Sequence, residues 1–455
     1  MSERWLWFFI LLGSALSLAL SYEIATQSLR LGSLEWGWTY SYAARFSSRP
    51  VGAALIVSGI AVALLLLTGG FSQAGRHRQW LIVAAWIALA TPLQALMRSL
   101  TPSDLESIFL SDAANSFYSV TQEYGARKVL SDFNDVRASW PLHAQSNMPG
   151  KLMLLYALQL VTSSPSVLPW MIVFVSNLGA ALIYLFTRDL FDDGRVALIS
   201  AILYLFVPAK IFFFPLLNTV TPVLIVGCAW LLLRMLQTRQ QRYAALLGTA
   251  LYAVAFFEPL PLVMGLLFAA LVARALWLGM ISVRELLEHL GVGCVAFTTS
   301  YAAMYLWFGF DLVDAFRRIG SHAVEFNVQN ARPYEVWLTE NLWEFVVGMG
   351  VCQTVVFFAA LLDGLCSRGN WRTRLTRPIT TLCLGLIAVI AVTDLIGVNR
   401  GEVIRLWIFL TCMFQIPAAY VCVRLQSQAA VVLLLACTVL QAALGTAMIA
   451  FLITS

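Results

Sequence analysis

Apolar stretches long enough to cross a membrane recur along almost the whole of this chain, and that recurrence limits what it can fold into more than any single motif does. A spanning helix needs about 20 mainly apolar residues, and inside the hydrocarbon layer its backbone N–H and C=O groups must pair within the segment. Windows at 5–21, 51–69, 80–98, 166–187, 195–213, 217–235, 242–257, 259–277, 287–308, 341–362, 379–395, 405–424 and 429–451 meet that demand. They predict an all-α, polytopic membrane protein with about 13 transmembrane helices. A composition of 60% hydrophobic and 12% charged residues leaves no room for a sizeable soluble domain, and no nucleic-acid partner is expected. The first window follows MSER as a signal peptide's apolar region would, but it lacks a small-residue cleavage site. It is therefore expected to stay as a first helix.

Orientation follows from where arginine falls. Turns holding Arg188 and Arg195; Arg234, Arg239 and Arg242; Arg274 and Arg284; Arg368, Arg372, Arg374 and Arg377; and Arg424 all lie on one side. After the long polar loop, the opposite connections carry only Lys210, Arg317, Arg318, Arg332, Arg400 and Arg405. Basic loops stay cytoplasmic, which puts the connections 99–150, 309–340 and 396–404 outside. Arg30, Arg45 and Arg49 oppose the rule for the first two helices. The chain's three lysines, Lys128, Lys151 and Lys210, all fall on the outer side, by chance or as a cationic vestibule. Its eight cysteines lie in or beside apolar segments and show neither a disulfide framework nor a zinc spacing.

The long polar island SDAANSFYSVTQEYGARKVLSDFNDVRASWPLHAQSNMPGK, 111–151, is the expected functional loop, carrying membrane-surface helices. Connections of more than ~12–15 residues usually fold, cover a site or bind something. In SDAANSFYSV a helical reading puts Asp112, Ser116 and Val120 on one face, with Phe117 and Tyr118 turned to the membrane surface. Asp112 is then either a general base at the membrane boundary or a solvated loop acid or helix cap. HAQSNMPGK supplies His143, Asn147 and then Lys151, whose ammonium suits a lipid phosphate or simply snorkels to the headgroups.

Two further regions carry charge on the same side. In DLIGVNRGEVIRLWIFL, Arg400, Glu402 and Arg405 stand at the mouth of a late span, with Arg405 about a turn inside it. A charge at that depth needs an anionic partner, either Glu402 at i−3 or the phosphate of a lipid substrate. Glu258 in FFEPLPL is a functional acid or a loop acid, and the 309–340 connection, with His322 and Arg332, is long enough to cover a site. There is no Walker loop, HExxH, GxSxG or dinucleotide fingerprint, so nucleotide-driven and hydrolytic chemistry has no motif behind it.

The order of a helix delivering a long outer loop, Asp112 in SDAANSFY, SNMPGK at 146–151, RPYEVWLTENLWEF at 332–345 and RGEVIRLW at 400–407 resembles the GT-C superfamily of membrane glycosyltransferases. One branch of that family carries a loop-end motif like HPPG and a late RGEVxRxW. Methionine and asparagine replace the family's proline and histidine in SNMPGK, and Asn218 in FFFPLLNTVTP stands where relatives often have aspartate. The resemblance covers roughly 80–455, leaving 1–79 as two additional N-terminal helices.

It implies transfer of a sugar from a polyprenyl-phosphate donor to an envelope glycan or lipid on the extracytoplasmic face, with inversion and without a cofactor or required metal. Asp112 would act as base. Arg405, Arg400, Lys151 and Lys210 would bind the donor phosphate, and Glu402, His143, Asn147, Glu258, His322 and Arg332 would contact substrate. A lipid or small-anion transporter or flippase, marked by inverted repeats and discontinuous spans, and a non-catalytic subunit of an envelope assembly complex are the other classes such a chain fits.

Overall fold

The protein is described by a computed structural model covering residues 1–36, 38–43, 48–68, 75–101 and 103–452. Its secondary structure is almost wholly helical, as the apolar windows require. Ten helices among the described residues are long and apolar enough to cross a membrane: Glu3–Ala25, Ser48–Thr68, Arg76–Arg98, Leu168–Phe191, Gly194–Phe212, Leu217–Thr238, Leu260–Trp277, Val283–Phe308, Pro378–Ile396 and Gln428–Met448. This is a multi-pass membrane protein.

Three of the thirteen windows come out differently, each for a local reason. The window at 242–257 is the Gln241–Phe257 helix, only 17 residues long. That at 341–362 is cut at Gly350, whose φ of +105° no ordinary side chain adopts, and the two halves, Tyr334–Met349 and Val351–Leu365, meet at 97°. Counting that bent pair as one span gives eleven. The window at 405–424 starts with the separate turn Val403–Leu406, and the helix interrupted at Trp407 resumes as Ile408–Arg424. Arg405 therefore sits on a short turn at the mouth of the bundle instead of one turn inside a continuous helix.

The bundle is centred on Gly194–Phe212 and Gln428–Met448, whose apolar windows are 94% and 83% buried within the protein, while Val283–Phe308 has none of its window buried and forms the rim. Both N-terminal helices are part of the packing: Glu3–Ala25 lies against Val351–Leu365 and Gln428–Met448, and Ser48–Thr68 lies along Gln428–Met448. The segment between them makes two small antiparallel pairings, Gly32–Ser33 with Trp38–Thr39 and Ser41–Tyr42 with Ile449–Ala450. Arg45 lies outside the described residues.

The long polar island folds. After Arg98 it forms short helices at Leu105–Leu110, Phe117–Glu123, Ala126–Ser131, Phe133–Val136 and Leu142–Gln145, then Gly150–Gln159. Phe109, Phe117, Val120, Val129, Phe133, Trp140, Ala144, Met148 and Leu152 bury together as a second apolar core. Asp112 thus follows the Leu105–Leu110 helix, not the third span. The common helical face expected for Asp112, Ser116 and Val120 is absent. Ser116 adopts φ +40° and is buried, its hydroxyl accepting from the Ala144 N–H at 2.9 Å, and Phe117 turns into the core.

Gly150 fixes how this loop docks. A Cβ there would lie 2.5 Å from the Phe256 carbonyl oxygen and 2.6 Å from the Phe257 Cα, so the turn reaches the end of the Gln241–Phe257 helix only with glycine. Gly150→Ala is expected to destabilise the protein by about 1–3 kcal/mol, the cost of overpacking against unyielding backbone. A thermal melt of the purified variant checks this, and a midpoint equal to that of the unaltered protein would count against the docking.

Candidate functional site

The short turn before Gly150 and the end of the Gln241–Phe257 helix bring Lys151 and Glu258 together. Lys151 is fully buried, its Nζ 3.2 Å from Glu258 Oε2 and donating to Asn147 Oδ1 at 2.7 Å. Burial pulls the Lys151 ammonium below its ordinary value, and the Glu258 carboxylate opposes that pull. Glu258 also accepts from Asn218 Nδ2 at 3.1 Å and Thr221 Oγ1 at 2.6 Å, while Asn147 Nδ2 donates to the His143 carbonyl at 2.7 Å. The His143 ring is held down to about 4, first by burial and then by the nearby Arg405 cation. It is neutral at pH 7, and its Nε2 lies 2.8 Å from the Ala113 carbonyl oxygen, the contact a neutral ring makes by donating.

A second group comes from the late loop. Arg405 pairs with Glu402 Oε2 at 2.6 Å, and Arg332 reaches Glu402 Oε1 at 3.3 Å. Burial works to raise the Glu402 carboxyl, but the Arg405 and Arg332 guanidiniums outweigh it and keep it below its ordinary value. Arg332 is seated among the rings of Phe326, Trp38 and Trp337, at 5.1, 5.7 and 5.8 Å.

The two sequence stretches 332–345 and 400–407 clasp each other. Asn341 accepts from the Gly401 N–H at 3.0 Å and donates to the Asn399 carbonyl at 2.9 Å, and Glu344 accepts from the Val403 N–H at 2.9 Å. Gly401, at φ +81°, lets the loop pass the Trp337 ring, which a Cβ would meet at 2.9 Å. Glu402 has φ +60°, a left-handed conformation that costs a non-glycine residue energy and is held here by its two arginines.

Between the two groups lies a cavity of about 20 Å³ lined by Ala114, Phe117, His143, Asn147, Leu216, Asn218, Arg405 and Leu406. That is room for about one water, with Phe117, Leu216 and Leu406 among its apolar lining. Among the described residues the Arg405 Nε, although buried, has no hydrogen-bond partner. Glu402 is shared by Arg405 and Arg332, so the Arg405 guanidinium, with its Nε unpartnered among the described residues, is placed to meet an anion. Among the described residues no three His, Cys, Asp or Glu side chains gather so as to hold a metal ion.

His143, Asn147 and Arg405 line the cavity, and Lys151, Glu258, Glu402 and Arg332 stand directly behind those that do. Asp112 is on the exposed turn beside it. Its Oδ1 accepts from Ser119 at 2.5 Å, and its neighbours Ala113 and Ala114 touch His143 and the cavity.

The remaining candidates lie elsewhere. Arg400 folds back onto the Gly397 and Arg332 carbonyls at 3.1 and 2.7 Å, so its guanidinium holds the loop and does not face the cavity. Lys210 belongs to the buried continuation of the Gly194–Phe212 span, its Nζ 3.8 Å from the Tyr204 ring centre. His322 is on the amphipathic Leu312–Gln329 helix, away from the lining. Nor do the lysines form an open vestibule: Lys128 is exposed, and Lys151 and Lys210 are buried apart from water.

Sequence reading noted Asn218 without giving it a role and did not find Thr221, Asn341, Glu344 or Tyr40. Glu344 carried a signal, an acid inside an apolar window. Tyr40 is buried near Glu344 and Glu402; burial first, then those carboxylates, push its phenol well above its ordinary value.

Compared with known proteins, the chain matches no family model, and no curated protein matches it.

Proposed function

We propose that this protein is a membrane glycosyltransferase that moves a sugar from a polyprenyl-phosphate-linked donor to a glycan, lipid or lipid-linked glycan on the extracytoplasmic face. The observation that supports this reading most is the convergence of Arg405, His143, Asn147 and Asn218 on one cavity, backed by two buried ion pairs from separate parts of the chain. Nothing in that arrangement needs a nucleotide. The energy enters with the preactivated donor.

In this reading Arg405 takes the donor phosphate with its unpartnered Nε, while the Lys151–Glu258 pair fixes Asn147 and Asn218 against the sugar. Widening of the cavity by movement of Phe117, Leu216 and Leu406 admits the substrate. The acceptor comes in over the exposed turn at Asp112. Its hydroxyl oxygen bonds to the anomeric carbon from the face opposite the phosphate, the carbon–phosphate-oxygen bond breaks, and polyprenyl phosphate leaves with that electron pair. Asp112 accepts the hydroxyl proton.

Asp112→Asn removes that proton acceptor while keeping the shape, and is expected to lower transfer in isolated membranes by about 10²–10⁴-fold with expression and donor binding unchanged. Full turnover by that variant would remove Asp112 from the mechanism. The side of the membrane is tested separately: Glu123→Cys and Glu325→Cys, both at exposed positions, are expected to react with an impermeant maleimide from outside intact cells. Labelling only after the cells are opened would reverse the orientation.

One observation favours a second reading. The 97° break at Gly350 is the kind of interruption that transporters use to build a site at mid-membrane. It is the one bent pair among the described residues, with no counterpart in another half of the chain. A radiolabelled donor that crosses sealed vesicles without losing its sugar would favour the transporter.

A further inference from the structure

At the end of the bundle away from this site, a cavity of about 730 Å³ is lined by Met1, Ser2, Asp363, Cys366, Ser367, Arg368, Thr373, Arg377 and Arg424. The Pro378–Ile396 helix separates it from the loop that carries Arg400, and its 19 residues cover about 28 Å at ~1.5 Å each. The two sites therefore stand on opposite sides of a membrane's thickness.

The charges round this cavity do not balance. Its carboxylate, Asp363, is buried and already engaged, accepting from the Met1 amino group at 2.8 Å and the Tyr420 hydroxyl at 3.1 Å. Arg377 donates to the Asp363 carbonyl at 3.5 Å and to the Tyr420 hydroxyl at 3.4 Å. Arg424 comes only to 3.9 Å from Asp363 and is half-exposed, and Arg368 is exposed. Three guanidiniums thus share one concavity with a single, already satisfied, acid. Arginines placed only to orient a membrane protein need no shared concavity.

Trp371, 59% exposed, stands edge-on to Trp277 at 5.3 Å beside the cavity. Tryptophans so placed sit at headgroup level. A phosphate monoanion or diester fits the arginine forks, and the Thr373 side chain lines the same wall.

We infer that this cavity binds a phosphate-bearing anion at the membrane face opposite the candidate active site, and its place beside the Trp277–Trp371 pair favours the headgroup of an acidic lipid. The inference is independent of the glycosyltransferase reading.

Cys366 lines the cavity and is exposed, so the full chain carries its own probe. In neutral detergent, dihexanoyl phosphatidylglycerol is expected to slow maleimide alkylation of Cys366 about tenfold in a saturable way, with dihexanoyl phosphatidylcholine inactive. Protection by inorganic phosphate at equal concentration would identify a free anion as the ligand and still support the site. Combining Arg368→Gln with Arg424→Gln is expected to raise the half-protecting concentration at least about tenfold. Should that variant fail to fold, raising salt from ~0.05 to ~0.5 M must weaken protection of the unaltered protein by a similar factor. Absent protection, equal protection by the zwitterionic lipid, or protection indifferent to salt would overturn the inference.

Discussion

Lys151→Met is expected to be among the most damaging single substitutions in the protein, costing about 3–5 kcal/mol, because it leaves the buried Glu258 carboxylate without its cation. Asn218 and Thr221 would still donate to Glu258, but neutral donors replace only part of what an ammonium at 3.2 Å supplies. Adding Glu258→Gln should recover most of the loss, since the amide oxygen can still accept from Asn218, the amide NH2 can donate to the Thr221 hydroxyl, and no charge remains buried. Thermal melts of the single and double variants in detergent decide the matter. A single variant as stable as the unaltered protein would mean that Lys151 and Glu258 are not coupled.

The second large effect is expected on binding, at Arg405. Glu402 is shared between Arg405 and Arg332, so Arg405→Leu removes one cation without orphaning the acid. The variant should fold, alone or with Glu402→Gln. If Arg405 holds the donor phosphate, binding of a polyprenyl-phosphate analogue to either variant should weaken by one to two orders of magnitude, the scale of a charge-assisted contact of ~1.5–3 kcal/mol. Unchanged affinity would leave Arg405 with a structural task only.

How far the sequence revealed this site depends on the kind of signal. The loop 99–150 and the RGEVIRLW stretch stood out because charge in an apolar chain is conspicuous, and His143, Asn147, Lys151, Glu258, Glu402, Arg332 and Arg405 do converge. Hydropathy reports only where apolar residues lie along the chain. It is blind to the positive φ at Gly350 that breaks one window and to the turn at Trp407 that interrupts another. It also cannot tell where a long side chain goes. Lys210, at the end of an apolar run, looked like an outer cation, but its ammonium turns onto the Tyr204 ring. Arg400 and Arg405, five residues apart in one motif, divide their work between bracing a loop and facing a cavity.

The segment joining the first two helices changes how the chain can be divided. The Trp38 ring centre lies 5.7 Å from the Arg332 guanidinium, the Arg30 carbonyl accepts from Trp343 at 3.4 Å, and Ser41–Tyr42 ties itself to Ile449–Ala450. Residues 1–79, which in sequence look like an appendage to a self-sufficient core, supply one wall behind the arginine pair. The candidate site therefore has no clean seam at residue 80. An insertion, graft or exchange made there would act on the site itself, by loosening the residue on which Glu402 depends once Arg405 is engaged elsewhere.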